Sequence, residues 1–119
     1  MAKLVTIPSI EDERGSLNVL EELLPFEVKR IFYITNPKGE RGGHRHLKTI
    51  QAIICLTGKC EIFINNGKDT SKYNLDSKNE CLILDPEDWH TMSKFEDNPI
   101  LLVLSSEKFN QKDYIHEPY

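Results

Sequence analysis

The chain has 119 residues, which is enough for one compact domain with a single core, and we expect one domain over residues 1–119. Its hydrophobic fraction of 39% and charged fraction of 29% are typical of a folded soluble protein and exclude a disordered chain. The net charge of −4 argues against a nucleic-acid partner. Because no apolar run approaches the ~20 residues of a spanning helix, we expect no membrane partner and a cytoplasmic location.

The first half of the chain is typical of short β-strands separated by turns. Residues 4–7, 16–20 and 29–34 combine β-branched or aromatic residues with period-two alternation, and each segment predicts a strand. Residues 21–25 are the one helical candidate, and Pro25 limits that helix to a single turn. A Gly-rich loop over residues 36–43 then precedes one or two strands within residues 44–57.

The second half of the chain continues this pattern. Asn65-Asn66-Gly67 is a strong hairpin signal after a strand over residues 60–64. Further strands are predicted at residues 73–75, 81–84, 91–95 and 100–104, with turns at 57–59, 86–88 and 97–99. The polar tail, residues 107–119, is expected to cross the surface. About ten short strands, with a turn about every 8–12 residues, predict an all-β sandwich or small barrel that binds ligands at its mouth.

Two histidines separated by one residue follow the Gly-rich loop. Because strand side chains alternate between faces, His44 and His46 are predicted to share one face, about 6–7 Å apart at the base. Imidazoles titrate near neutral pH, so they both accept and donate protons. The alternative is a pair of satisfied polar residues at a strand end. It is less favoured because Arg41, two glycines and an inward Gln51 surround the pair.

The stretch around the histidines resembles the first motif of the cupin superfamily. In that motif a glycine precedes His-x-His, a glutamate follows, and a second glycine comes six residues later. Here the corresponding positions are Gly39, His44-Arg45-His46, Gln51 and Gly58. The resemblance implies an all-β fold of the cupin type, a double-stranded β-helix or jelly-roll barrel.

The second cupin motif is incomplete, and this bears on metal binding. Pro86 is present, but Thr91 stands at the histidine position. His90 comes one residue early, and a one-residue offset on a strand turns a side chain to the opposite face. Gln51 also replaces the carboxylate ligand of the first motif. Loss of an anion and an imidazole removes most of the donor set that a divalent transition metal prefers, so we expect no metal.

A narrower resemblance covers nearly the whole chain, and its specific part is the sequence RGGHxH. The chain resembles the sugar-nucleotide 3,4-ketoisomerases, or WxcM-like cupins, in these stretches: Asp12-Glu13-Arg14-Gly15, Pro25-Phe26, Lys29-Arg30, Phe32-Tyr33-Ile34, Arg41-Gly42-Gly43-His44-x-His46, Ile83-x-x-Pro86-x-x-Trp89 and Asp113-Tyr114-Ile115. The resemblance implies conversion of a dTDP-4-keto-6-deoxyhexose, such as dTDP-4-keto-6-deoxyglucose, to its 3-keto isomer in deoxyamino-sugar biosynthesis. It also implies a dTDP-linked keto sugar as ligand, no metal or organic cofactor, and a homodimer that exchanges N-terminal strands.

The implied reaction needs a proton removed at C3 and a proton delivered at C4, through an enediol. His44 and His46 are the candidate proton-transfer groups, and either of them could be the base. The developing enediolate oxygen also needs a hydrogen-bond donor. Tyr33, which matches a site tyrosine of the family, or Arg14 could supply it.

Four residues are predicted to bind the substrate: Arg14, Arg41, Gln51 and Trp89. As a family match, Arg14 would clamp the diphosphate with two hydrogen bonds, and Arg41 is a similar candidate. The alternative for each arginine is a solvated surface position. Trp89 shares strand parity with Thr91 and is expected to bound the cavity, with a core position as its alternative.

Two other functions stay open on the sequence. A non-catalytic cupin would bind a sugar nucleotide without turning it over. A dTDP-sugar 3,5-epimerase would pair a histidine with an aspartate for proton abstraction. No aspartate stands at an obvious inward position near the histidine strand, so the epimerase ranks below the isomerase.

Overall fold

The chain folds almost entirely as β-strands, and the computed structural model describes residues 1–119. In chain order the strands are β1 (Lys3–Thr6), β2 (Ser9–Asp12), β3 (Gly15–Asn18), β4 (Arg30–Ile34), β5 (Arg41–His46), β6 (Gln51–Asn65), β7 (Thr70–Leu75), β8 (Glu80–Leu84), β9 (Trp89–Ser105) and β10 (Tyr114–Ile115). One 3-10 helix, Gln111–Asp113, precedes the last strand. None of the chain's helical structure has the length and apolar character that crossing a membrane requires. The prediction of an all-β chain is confirmed.

The segment predicted as a helical turn, residues 21–25, is not helical. It consists of consecutive turns and bends, and Glu22 has a left-handed backbone with φ 57°. Because Pro25 also lacks an amide hydrogen, no run of right-handed residues forms there. The segment instead packs the apolar side chains of Leu23 and Leu24 against one buried cluster of the sheet.

The main sheet has eight strands in the order β1-β8-β6-β9-β5-β10, with β4 paired to β9 and β7 paired to β6. The strands β6 and β9 are 15 and 17 residues long, because the turns predicted at 57–59 and 97–99 are bends within continuous strands. At the bend in β6, Gly58 has φ 71°, and an added Cβ would lie 2.7 Å from the Glu96 carbonyl oxygen. The two long strands therefore approach each other at a point where only glycine fits.

Alternation along β6 divides the core into two layers. Ile53 and Cys55 belong to one buried cluster with Leu82 and Val103. Their neighbours Ala52 and Ile54 belong to a second cluster on the opposite face. The apolar run at residues 52–55 is thus covered on both faces, as an uninterrupted hydrophobic strand requires.

The β2–β3 hairpin stands apart from the main sheet. It forms a two-stranded sheet of its own, with Ser9 paired to Asn18 and Asp12 paired to Gly15. Every residue of both strands is exposed. An isolated hairpin is marginally stable in water, so this one depends on something that covers it.

Candidate active site

A cavity of about 180 Å³ lies between β4, β5, β6, β9 and β10. Three of the predicted site residues line it: His44, Arg41 and Gln51. Gln51 faces inward as predicted and is buried, and its Nε2 donates to the Ser105 hydroxyl at 3.2 Å. The complete lining is Arg30, Phe32, Ile34, Arg41, Gly42, His44, Gln51, His90, Met92, Val103 and Tyr114.

The Gly-Gly pair before the histidines lets β5 approach β9 closely. Gly42 has φ 86°, and an added Cβ would lie 2.9 Å from the His90 carbonyl oxygen. The register of β5 against β9 shifts between Gly42 and His44, so that His44 pairs directly with His90. A side chain at residue 42 would push these two strands apart. The motif therefore brings the two imidazoles together from neighbouring strands.

The chain's four histidines gather around His44, and two of them, His44 and His90, line the cavity. The ring centroid of His44 lies 5.1 Å from that of His46 and 5.0 Å from that of His90, both in edge-to-face geometry. The ring of His116, on the C-terminal tail, lies 6.1 Å away. The predicted pair is in place, and it belongs to a larger cluster.

Asp113 forms a buried dyad with His46. The Asp113 carboxylate lies 3.0 Å from His46 Nδ1, and both side chains are 4% exposed. The Lys48 amide donates to the other carboxylate oxygen at 2.9 Å, and the Thr49 hydroxyl donates to the oxygen that faces His46. With Nδ1–H donated to the carboxylate, the neutral ring keeps its lone pair on Nε2. That Nε2 is buried and has no hydrogen-bond partner.

Sequence reasoning missed Asp113. We expected the tail to cross the surface, and the absence of an aspartate near the histidine strand counted against an epimerase. The tail instead returns through the 3-10 helix, and β10 pairs with β5, with Tyr114 opposite His46. The signal available was Asp113-Tyr114-Ile115, a stretch of the resemblance to which no role had been attached.

The cavity keeps its histidines neutral. Burial, and then the nearby His90, His46 and His116, lower the pKa of His44 to about 3. Burial lowers the pKa of His90 to about 4. Burial also lowers the pKa of His46, and the positive charge of Arg30 adds to the effect, while Asp113 opposes it. A neutral imidazole is the form that accepts a proton, so a histidine of this cluster can act as a base at neutral pH.

Burial by itself would raise the pKa of Asp113. Hydrogen bonds from Thr49, the Lys48 amide and His46 outweigh the burial and lower the pKa below its usual range. The carboxylate therefore stays charged beside His46, and it stabilises that ring when the ring takes up a proton.

Tyr114 and Arg30 complete the polar wall. The Tyr114 ring centroid lies 4.7 Å from that of His44 and 4.6 Å from that of His46. Arg30 Nη1 donates to the Tyr114 hydroxyl at 3.4 Å. Sequence reasoning gave no role to either residue, although both lie in stretches that carry the resemblance.

His90 and Trp89 lie on the faces opposite to those predicted. His90 is 1% exposed and lines the cavity, whereas Trp89 and Thr91 line a groove on the outer surface. Alternation shows which residues of a strand share a face, but it does not show which face is inward. Trp89 does not bound the cavity; its Nε1 donates to the His116 carbonyl oxygen at 3.0 Å and so holds the tail.

The structure does not bring Tyr33 to the histidines. On β4 the alternate residues Arg30, Phe32 and Ile34 line the cavity. Tyr33 points to the other side, where its side chain is 69% exposed. The same alternation that turns Arg30 inward turns Tyr33 outward.

Arg14 also lies away from the cavity of its own chain. It sits at the tip of the β2–β3 hairpin, where its Nη2 contacts the Asp12 carboxylate at 2.7 Å. Its side chain is 85% exposed. Exposed ion pairs of this kind contribute little stability, so the contact with Asp12 leaves Arg14 available to a ligand.

A cupin-type metal site does not fit these residues. No three of the chain's His, Cys, Asp and Glu side chains are grouped so that they could hold a metal ion. Gln51 stands where such a site has a carboxylate, and its amide is bonded to Ser105. His46 Nδ1 is occupied by Asp113.

Comparison with known proteins identifies the class first. The fold is similar to that of a 3,4-ketoisomerase, QdtA from Thermoanaerobacterium thermosaccharolyticum, solved as a histidine-to-asparagine mutant in complex with TDP-4-keto-6-deoxyglucose. The match has a TM-score of 0.92 and 32% identity, and it covers 98% of this chain and 87% of that one. The fold is also that of the 3,5-epimerase RmlC from Legionella pneumophila Philadelphia 1, at a TM-score of 0.80 and 14% identity over 99% of this chain and 73% of that one. The predicted cupin-type barrel is confirmed.

The family follows from the sequence matches. A family model described as FdtA, WxcM-like, C-terminal matches residues 1–119. A TDP-4-oxo-6-deoxy-alpha-D-glucose-3,4-oxoisomerase from Aneurinibacillus thermoaerophilus is 37% identical over an alignment 119 positions long, which covers 97% of this chain and 86% of that protein. The chain belongs to the WxcM-like family of sugar-nucleotide 3,4-ketoisomerases, as its motifs predicted.

Proposed function

We propose that the protein is a 3,4-ketoisomerase that converts a dTDP-4-keto-6-deoxyhexose, such as dTDP-4-keto-6-deoxyglucose, to its 3-keto isomer in cytoplasmic deoxysugar biosynthesis. The observation that carries this proposal is the buried His46–Asp113 dyad in contact with His44, which lines the cavity. The relatives that match nearly the whole chain are named for this reaction. Acid–base chemistry at two adjacent carbons is what two neighbouring neutral imidazoles can supply.

His46 is the better candidate for the base. Asp113 accepts its Nδ1–H, which fixes the tautomer that leaves Nε2 free to take a proton. The carboxylate then stabilises the imidazolium that forms. His44 has no such partner, and its low pKa keeps it neutral. Its role is therefore to hydrogen-bond and align the sugar.

The reaction balances with one proton at carbon and one at oxygen. His46 takes the C3 proton, and the C–H electron pair forms the C3=C4 bond while O4 becomes negative. O3 loses its hydroxyl proton, and O4 gains one. His46 then returns its proton to C4 as the carbonyl forms at O3. The reaction therefore consumes no oxidant, reductant or water.

The size of the cavity suits the sugar alone. Pockets that enclose a whole drug-sized ligand usually measure about 300–1,000 Å³, against about 180 Å³ here. The sugar ring would occupy the cavity and the diphosphate would lie at its mouth. Arg41 is exposed and lines the cavity, so it is the residue of this chain best placed to bind the diphosphate.

We further propose a homodimer with exchanged N-terminal strands. The hairpin exposes Ile10 and Leu17 at 61% and 62%, and the outer face of β4 exposes Ile31 and Tyr33 at 63% and 69%. Large apolar side chains exposed together mark surfaces that another protein covers. In such a dimer Arg14 would serve the cavity of the partner subunit, where it could clamp the diphosphate, and Tyr33 would contribute to the interface.

The dyad also favours a second candidate, a 3,5-epimerase, which would use the same histidine–aspartate pair at a different carbon. The two reactions differ in which proton is removed: an isomerase exchanges the proton at C3 and moves the carbonyl, whereas a 3,5-epimerase exchanges protons at both C3 and C5 and leaves the carbonyl at C4. The product therefore distinguishes them.

The test is incubation with dTDP-4-keto-6-deoxyglucose in deuterated water, with and without prior chelation, followed by NMR of the product. We expect a 3-keto sugar with deuterium at C4, recovered 4-keto substrate with deuterium only at C3, and the same rate after chelation. Deuterium at C5 with the carbonyl still at C4 would establish the epimerase. Tight binding with an unchanged sugar would establish a non-catalytic binding protein.

A further inference from the structure

Neither of the two donors that the sequence offered for the enediolate oxygens, Tyr33 and Arg14, lies in the cavity of its own chain. Tyr33 faces outward, and Arg14 lies on the hairpin. Tyr114 lines the cavity in their place, with its ring within 4.7 Å of both catalytic imidazoles, measured between centroids. It is the one tyrosine among the residues that line the cavity.

Arg30 is fixed against the hydroxyl of Tyr114. Its guanidinium lies 4.3 Å from the ring centroid of Phe32 and 5.3 Å from that of Phe109. One of its nitrogens donates to the Tyr114 hydroxyl, and no carboxylate forms an ion pair with it. An arginine stacked between two rings is held in one orientation. An unneutralised charge therefore stands beside the phenol and faces the cavity.

We propose that Tyr114 is a catalytic residue that carries the hydroxyl proton from O3 to O4 of the sugar, and that Arg30 is the positioning residue that supports it. This inference rests on the proposed function. The Tyr114 O–H bond breaks as its proton goes to O4 of the enediolate. The resulting phenolate then takes the proton from O3, the O3–H electron pair forms the new carbonyl, and the phenol is restored.

The chemistry of a phenol suits both transfers. A tyrosine hydroxyl donates and accepts hydrogen bonds with one atom, so a single side chain can serve two neighbouring oxygens. The positive charge of Arg30 stabilises the phenolate that exists between the two transfers. His46 then transfers only the carbon-bound proton, and Tyr114 transfers the hydroxyl proton. The two side chains that share the reaction contact each other.

The substitution Tyr114→Phe separates the two roles. We expect kcat to fall about 10²- to 10³-fold, the size of effect seen when one preorganised donor is removed, with KM changed less than about threefold. Exchange of the C3 proton with deuterated water should fall less than turnover does, because His46 still removes that proton and returns it. The ratio of exchange to turnover should therefore rise.

Tyr119→Phe is the matched control. This tyrosine belongs to the same tail, and its hydroxyl donates to the Glu87 carbonyl oxygen at 2.8 Å, away from the cavity lining. The control should keep the wild-type kcat. If Tyr114→Phe also keeps kcat within twofold, the proposal is overturned. It is equally overturned if exchange and turnover fall together, since that result would assign Tyr114 to packing against the histidines.

Arg30→Gln tests whether the arginine acts through the tyrosine. Removal of the charge should lower kcat about tenfold in the wild-type background and have almost no further effect in the Tyr114→Phe background, because coupled residues give non-additive effects. Additive losses would overturn the positioning role. The wild-type protein gives the separate control: if it fails to isomerise the 4-keto sugar, the proposed function itself is wrong, whereas turnover unaffected by Tyr114→Phe overturns this inference alone.

Discussion

The histidine cavity and the N-terminal hairpin differ in how much of a working site one chain supplies. In the cavity, His46 and Asp113 are both 4% exposed, and the carboxylate is held by three donors. On the hairpin, every residue is exposed and Arg14 contacts only Asp12. One chain thus supplies all of the proposed acid–base groups, whereas the proposed diphosphate clamp would need a second copy of the chain.

This difference has a physical origin. Proton transfer needs fixed distances and a dry environment, and the interior of a barrel provides both. A nucleoside diphosphate is large and charged, so it is bound at a surface by exposed cations. Variants of the cavity should therefore change kcat, and variants of the hairpin should change KM.

Asp113→Asn should have the largest effect of the variants that separate the two regions. The amide cannot accept hydrogen bonds from Lys48 and Thr49 as the carboxylate does, and it no longer stabilises a protonated His46. We expect kcat to fall about 10²-fold, within the range for general acid–base catalysis, with little change in KM. The acid limb of the pH–rate profile should also move to lower pH.

The exposed Asp69→Asn is the control for that variant, since its side chain lies on the β6–β7 turn. It should leave both the rate and the profile unchanged. An Asp113→Asn enzyme with a normal kcat, or with a lower kcat and an unmoved acid limb, would show that the dyad is structural.

Gly42→Ala should come next. The new Cβ would stand 2.9 Å from the His90 carbonyl oxygen at a backbone φ of 86°. We expect the free energy of unfolding to fall by about 1–3 kcal/mol and kcat to fall about tenfold, because β5 and β9 move apart at His44. Thermal unfolding and steady-state kinetics measure the two effects.

Gly39→Ala separates backbone strain from this close approach. Gly39 has φ 70°, but an added Cβ there meets no atom within 4 Å. The control should lose stability and keep its kcat. Equal losses of kcat in the two variants would refute the proposed spacing of the strands.

Arg14→Ala should raise KM about tenfold and leave kcat within twofold, because the proposed clamp binds the nucleotide and not the reacting carbons.

Mixed dimers test whether Arg14 acts on the cavity of its own chain or on that of the partner subunit. A dimer of one Arg14→Ala chain and one His46→Asn chain contains one intact site only if Arg14 serves the cavity of the partner subunit. Activity at low substrate should then exceed the sum of the two parents, and no gain would refute strand exchange.

The pH dependence of stability tests the buried wall of the cavity without reference to catalysis. The folded chain keeps His90 neutral down to a pKa of about 4, whereas in the unfolded chain histidine takes up a proton near pH 6.5. The unfolded state therefore binds more protons between these values, and the free energy of unfolding falls as the pH is lowered from 6.5 to 4. Urea unfolding across this range should show a shallower fall for His90→Asn. Parallel curves for the two proteins would contradict the burial of a neutral ring.

Local pattern in the sequence was enough to predict most of the strands and the histidine pair, but not β2 (Ser9–Asp12) or β10 (Tyr114–Ile115). The RGGHxH stretch placed His44 and His46 on one strand, and the sequence predicted strand structure within residues 44–57. These features depend on neighbours within a few residues. Four separately predicted strands form only two long ones, β6 and β9, which bend at Gly58 and at residues 97–98. A residue typical of turns also permits a sharp bend within a continuous strand.

The rest of the site depends on contacts that local pattern does not contain. The contact between His46 and Asp113 joins residues that are 67 positions apart. For Tyr33, His90 and Trp89 the alternation was available, but the inward face was assigned from family motifs, and the pairing partners of β4 and β9 decide it. Strand alternation assigns residues to the inward or outward face only when the face of one residue of that strand is already known.

Exchange of the substrate's C3 proton with deuterated water, followed by NMR in wild-type protein and in His46→Asn, tests the central claim most directly. The account predicts exchange and isomerisation by the wild type, and neither by a folded His46→Asn variant that still binds the nucleotide. Deuterium entering C3 at the wild-type rate in that variant would contradict the claim that His46, held by Asp113, moves the proton.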